Sequence, residues 1–124
     1  MTNAPTLTLD FKKNRIRLYK SALKTLGMPK RIQILINSAD RILAVKAARN
    51  NPRDQGVSVS VNFFAGTDSC DIYSLRLLRI LRLLLGLEKS DATYSVNGHY
   101  ADNDTVVMFP LNDATALKEN DDEQ

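Results

Sequence analysis

Apolar and polar positions alternate with a period of two along Leu7-Thr8-Leu9-Asp10-Phe11, and Ile16 and Leu18 resume the alternation after a turn near Lys13-Asn14. That spacing puts every second side chain on one face of a β-strand. From Tyr19 the period changes. Tyr19, Ala22, Leu23 and Leu26 follow i, i+3, i+4, i+7, one face of a short helix. Gly27 is placed to end it in the left-handed conformation, and Pro29 keeps it from resuming. Ile32, Ile34 and Ile36 predict a strand, Asn37 to Asp40 a turn, and Arg41 to Ala47 the returning strand of a hairpin. Asn50 to Gly56 is dense in turn formers and predicts a linker over 48–56.

The pattern then restarts. Val57, Val59, Val61 and Phe63 alternate with polar residues as a strand, and Gly66-Thr67-Asp68 reads as a turn. Ser74 can cap a helix that runs to about Leu85 and closes at Gly86. Leu75, Leu78, Leu81 and Leu85 are expected in a core or interface, with Leu26 and Leu85 buried at equivalent places. A second hairpin is predicted from Ala92 to Val96 and Thr105 to Phe109, joined by a polar loop. Residues 1–6 and the acidic stretch 112–124 read as disordered ends. The order strand, helix, Leu-Gly, hairpin thus occurs twice, over 7–47 and 57–111. The expected fold class is α+β, with two tandem diverged repeats forming a pseudo-dimer within one chain. A single unit of this size is too small to bury a stable core alone.

Composition narrows the function. The net charge of +3 hides an asymmetry: residues 1–90 hold 16 Lys/Arg against 6 Asp/Glu, and residues 91–124 hold 1 against 8. A basic body suits an anionic partner, which the acidic end could compete for; the alternative is an ordinary solvated surface. No basic segment followed by an apolar run opens the chain, so no signal peptide is expected. The most apolar stretch, Leu75 to Leu87, is interrupted by Arg76, Arg79 and Arg82. It is also shorter than the roughly 20 residues a membrane span needs. The one cysteine, Cys70, cannot close an internal disulfide. A cytoplasmic location is expected.

Catalytic chemistry finds little to use. His99 is the only histidine and falls in a predicted loop, with nothing in the sequence to set a nucleophile beside it. One Cys and one His fall short of a zinc site, Asp102 and Asp104 lack the spaced ladder of a calcium loop, and there is no Gly-rich phosphate loop. No enzyme activity, metal or cofactor is expected. The basic residues remain. Lys13, Arg15 and Arg17 share one face of a strand opposite Ile16 and Leu18, with Lys12 and Lys20 beside them. Such a strip suits phosphate neutralisation, and Arg15 or Arg17 could fork onto guanine. Arg76, Arg79 and Arg82 either extend the strip or form the wet side of the second helix.

The run from Asn14 to Met28 resembles the signature of the AbrB/MazE/SpoVT-type swapped-hairpin DNA-binding family. The match falls at Arg15, Ile16, Leu18, Lys20, Lys24, Leu26 and Gly27, with the following hairpin in place. It covers residues 10–47, with a diverged second copy over 70–110. It departs where the family carries Gly, an apolar residue and Pro, here Asn14, Arg17 and Tyr19. The resemblance implies a cytoplasmic DNA-binding fold and a transcriptional regulator, with Lys12, Lys13, Arg15, Arg17 and Lys20 on the nucleic-acid-binding surface. The expected partner is duplex DNA. The competing expectation is a non-enzymatic phage or mobile-element accessory factor that binds an acidic surface on a host protein. A homodimer is compatible with either.

Overall fold

The computed structural model describes residues 4–48, 57–61, 68–86 and 92–117. Residues 49–56 of the expected linker, the strand continuation at Phe63, Gly66 and Thr67 of the expected turn, and the chain from 118 lie outside the described residues. The protein is mixed α+β, mostly strands in two antiparallel five-stranded sheets. The first half supplies β1 (Thr6–Asp10), β2 (Arg15–Tyr19), α1 (Lys20–Thr25), β3 (Arg31–Asn37) and β4 (Ile42–Ala47). The second supplies β5 (Val57–Ser60), β6 (Ser69–Tyr73), α2 (Leu75–Leu85), β7 (Thr93–Asn97), β8 (His99–Ala101) and β9 (Val106–Pro110). A 3-10 turn at Leu111–Asp113 and the short β10 (Thr115–Ala116) follow.

The first sheet has the order β10-β7-β1-β2-β6 and the second β5-β3-β4-β9-β8. Four ladders join a strand of the first half to one of the second: β1 with β7, β2 with β6, β3 with β5, and β4 with β9. Two more join neighbours in the first half, β1 with β2 and β3 with β4. The inward residues of both sheets share one core with the helices. Leu7, Leu9, Ile16 and Leu18 meet Ile32, Ile34, Leu43, Val45, Val107 and Phe109 there, with Leu78 and Leu81 of α2, each at most 1% exposed.

The predicted helix ends are present. Gly27 and Gly86 have φ of 85° and 69°, the left-handed region where a side chain would be strained. Ser74 caps α2 by accepting a hydrogen bond on Oγ from the Leu77 amide at 3.2 Å. Asn14, at the position where the resembled family carries Gly, has φ 53°, a conformation Asn tolerates better than most residues.

Four expectations are corrected. The second hairpin does not form: β7 lies in the first sheet and β9 in the second, paired with β4 and β8. The chain crosses between sheets at Gly98, where a Cβ would stand 2.5 Å from the Met108 carbonyl oxygen and 2.7 Å from the Phe109 ring, so no side chain fits. The polar loop contains β8, which carries His99 exposed on a strand. Residues 112–117 are ordered as the end of the 3-10 turn and β10, because Thr115 and Ala116 pair with Ser95 and Tyr94 at the edge of β7. Leu26 and Leu85 sit half-buried at the margin of the core, and Leu75 is exposed.

Candidate nucleic-acid interface

Alternation along β1, β2 and β6 makes the first sheet two-faced, with Asp10 the exception, buried at the end of β1. Leu7, Leu9, Ile16, Leu18, Cys70 and Ile72 point inward and are buried. The opposite parity turns Thr8, Arg15, Arg17, Tyr19, Asp71 and Tyr73 outward. Cross-strand register then decides which charges meet. Arg17 is opposite Asp71 in the β2–β6 ladder and Thr8 in the β1–β2 ladder, and Arg15 is opposite Tyr73.

The turn from β1 to β2 is built by Asp10. Its Oδ1 accepts hydrogen bonds from the amides of Lys12 and Lys13, both at 3.1 Å, a local aspartate turn. Its Oδ2 accepts one from Arg15 Nε at 3.0 Å. Lys12 and Lys13 are left exposed at the tip. Arg15 is clamped between two carboxylates, since its Nη1 also donates to Asp71 Oδ2 at 3.2 Å. Arg17 makes a bidentate pair with Asp71: Nε donates to Oδ1 at 2.7 Å and Nη2 to Oδ2 at 3.1 Å. The Arg17 hydrogen bonds hold the Asp71 carboxyl below the usual carboxylate range, outweighing its partial burial, and raise Arg17 in turn. Tyr19 Oη and Thr8 Oγ1 share a hydrogen bond at 3.0 Å.

Lys20 begins α1, half-exposed, with its amide donating to the Asp68 carbonyl at 2.7 Å. Lys20 and Lys24 stand with Thr6, Thr8, Tyr19 and Ser95 around an open concavity of about 590 Å³ at this end of the outward face. Arg76 and Arg79 are exposed on α2. Arg82 is not in a free strip: its Nη2 donates to the Phe11 carbonyl at 2.8 Å and its guanidinium lies 5.0 Å over the Phe11 ring, which docks α2 onto the β1–β2 turn.

The structure thus gathers Lys12, Lys13, Arg15, Arg17 and Lys20 around one face, but changes the expected charge. Arg15 and Arg17 are not bare cations awaiting an outside anion. Asp10 and Asp71 already face them. Asp71 and Tyr73 were missed from sequence, although Ser69-Cys70-Asp71-Ile72-Tyr73 carries the period-two pattern that marks a strand. Tyr73 is 66% exposed on the outward face. Cys70 behind it is buried, and burial, with a lesser contribution from Asp71, pushes its thiol up to about 11, so it is un-ionised at neutral pH and a poor nucleophile.

Among the described residues no group of three or more His, Cys, Asp or Glu could hold a metal ion, and no helix is long and apolar enough to cross a membrane. The chain matches no protein-family model, and neither a curated protein nor a solved structure is significantly similar to it.

Proposed function

We propose that the chain is a non-enzymatic, cytoplasmic DNA-binding protein of the swapped-hairpin type, a transcriptional regulator that binds duplex DNA through the outward face of the first sheet. Residues 7–47 and 57–111 act in it as the two halves of a pseudo-dimer. The four ladders that cross between the halves support this pairing, each half lending strands to the other. So does the recurrence of a strand leading into a helix that stops at a left-handed glycine.

The observation that carries the DNA reading is the placement of cations around the outward face. Lys12 and Lys13 stand at one end of β2, Lys20 and Lys24 at the other, and Arg17 between them is 34% exposed at its side chain. Arg15, at 18%, holds the turn. The lysines bind phosphates, which positions the protein without reading sequence. The test is a fluorescence-anisotropy titration of duplex DNA at two salt concentrations. Wild type binds with a steep salt slope. The variant Lys12→Glu/Lys13→Glu binds more weakly, and its slope falls by about 0.9 for each phosphate that the protein no longer neutralises. Binding that ignores salt, or a variant that binds like wild type, defeats the reading.

A second reading has its own observation. Tyr73, Leu75 and Leu83 are exposed on or just before α2, interspersed with Arg76 and Arg79. That mixture of apolar and cationic side chains suits an acidic protein surface. A stable stoichiometric protein complex free of nucleic acid, purified at low salt, would favour it.

A further inference from the structure

Arg15 and Arg17 lie two residues apart on one strand and share one carboxylate, yet the geometry leaves them differently equipped. Arg15 spends Nε on Asp10 and Nη1 on Asp71, so its two ends are tied to different strands. Arg17 is held from one side only. Both of its bonds run to Asp71, through Nε and Nη2. The end of the guanidinium, Nη1 with the second proton of Nη2, takes no partner among the described residues. That end is the pair of donors that forks onto O6 and N7 of guanine in a major groove.

A long side chain normally loses rotamer freedom when it binds a base in this way. A carboxylate bonded along the Nε edge meets part of that loss before the partner arrives and fixes the plane in which the free end lies. Asp71 is well placed for this. It sits directly across the ladder from Arg17 on β6, the edge strand of the sheet. The short 2.7 Å bond marks a charge-assisted pair.

We propose that Asp71 is a positioning residue that aims Arg17 at guanine, making Arg17 the base-reading residue of the interface and leaving Arg15 to hold the turn. The assignment rests on the DNA reading above and adds a sequence preference to it. Asp71 then acts in two opposed ways. Its charge repels phosphates and lowers overall affinity, while its hydrogen bonds raise discrimination between bases. A carboxylate that merely neutralised its neighbours would do only the first.

The test measures the affinity of the full chain for two duplexes of equal length, one of alternating G·C pairs and one of alternating A·T pairs. Wild type is expected to prefer the G·C duplex by about tenfold, the scale of one bidentate arginine–guanine pair. In Asp71→Asn the affinity for both duplexes rises, because a negative charge is gone, and the preference falls toward one. In Arg17→Lys, which keeps the charge but loses the fork, the preference also falls toward one. Thermal melts confirm that each variant is folded, and if Asp71→Asn is not, Asp71→Ser, which also removes the carboxylate, takes its place with the same expected outcome. Equal wild-type affinity for the two duplexes overturns the assignment while leaving the DNA reading intact. So does a preference unchanged in the folded variants. No binding to either duplex by wild type overturns the DNA reading and the assignment with it.

Discussion

The two strand-to-helix junctions, β2 into α1 and β6 into α2, share a plan and differ in almost every means of carrying it out. Both run five residues of alternating strand into a helix that stops at a left-handed glycine. Tyr19 starts α1 with no side-chain cap, and the helix lasts six residues. Ser74 starts α2 with its hydroxyl on the Leu77 amide, and that helix lasts eleven, with Leu77, Leu78 and Leu81 buried. A helix of six residues cannot hold itself in water, so α1 depends on packing through Ala22 and Leu23. The two strands lie antiparallel with Arg17 opposite Asp71. One junction therefore brings the cations and the other the carboxylate that orders them. A shared backbone plan leaves the chemistry to whichever residues the register sets face to face.

Core truncations should separate the junctions most strongly. Leu81→Ala removes a side chain with no exposure and is expected to cost about 2–5 kcal/mol in denaturant unfolding. Leu26→Ala, at the margin of the core, should cost about 1 kcal/mol, because part of that side chain is already in water. Equal costs would mean that the two helices contribute alike.

Capping is the next difference. Ser74→Ala is expected to lose about 1 kcal/mol with the bond to Leu77. Tyr19→Phe, which leaves α1 without a cap as before and removes only the hydroxyl bonded to Thr8, should lose less. Melts of the two variants side by side check the order.

How much of this was legible in the sequence follows from how local each feature is. The β3–β4 hairpin could be read from three isoleucines in alternation and an Asn-to-Asp turn, in which the Asp40 amide does donate to Asn37 Oδ1 at 3.0 Å. The helix ends could be read because Gly27 and Gly86 act within one turn of chain. The partner of Arg17 could not, because Asp71 is 54 positions away and meets it only through the β2–β6 register. A basic run with no acid from residue 11 to 39 looks like unrelieved repulsion until that strand is folded against it. The destination of β7 was hidden for the same reason. Alternation at Tyr94 and Val96 marks a strand without saying which sheet takes it, and the crossover depends on Gly98 fitting under Phe109.

The smallest expected effect is on pH. Asp71 has a folded pKa below its ordinary value of 3.8, so its ion pairs stabilise the protein fully above that value. The stabilisation is lost as pH falls through the depressed folded pKa. Acid unfolding of wild type should carry this dependence and that of Asp71→Asn should carry less of it, a modest difference because the pair is partly exposed. Identical acid limbs would mean that Asp71 adds nothing to the fold.

On the proposed reading, the outward face of the first sheet binds duplex DNA. The most direct measurement is a titration of the isotope-labelled protein with a short G·C-containing duplex at low salt, followed by amide chemical-shift changes residue by residue. The predicted result is a set of shifts concentrated on Lys12 to Lys20 and Ser69 to Tyr73 that fades as salt is raised. Shifts confined to the outer surface of α2 or to β3 and β5, or none at all, would contradict it.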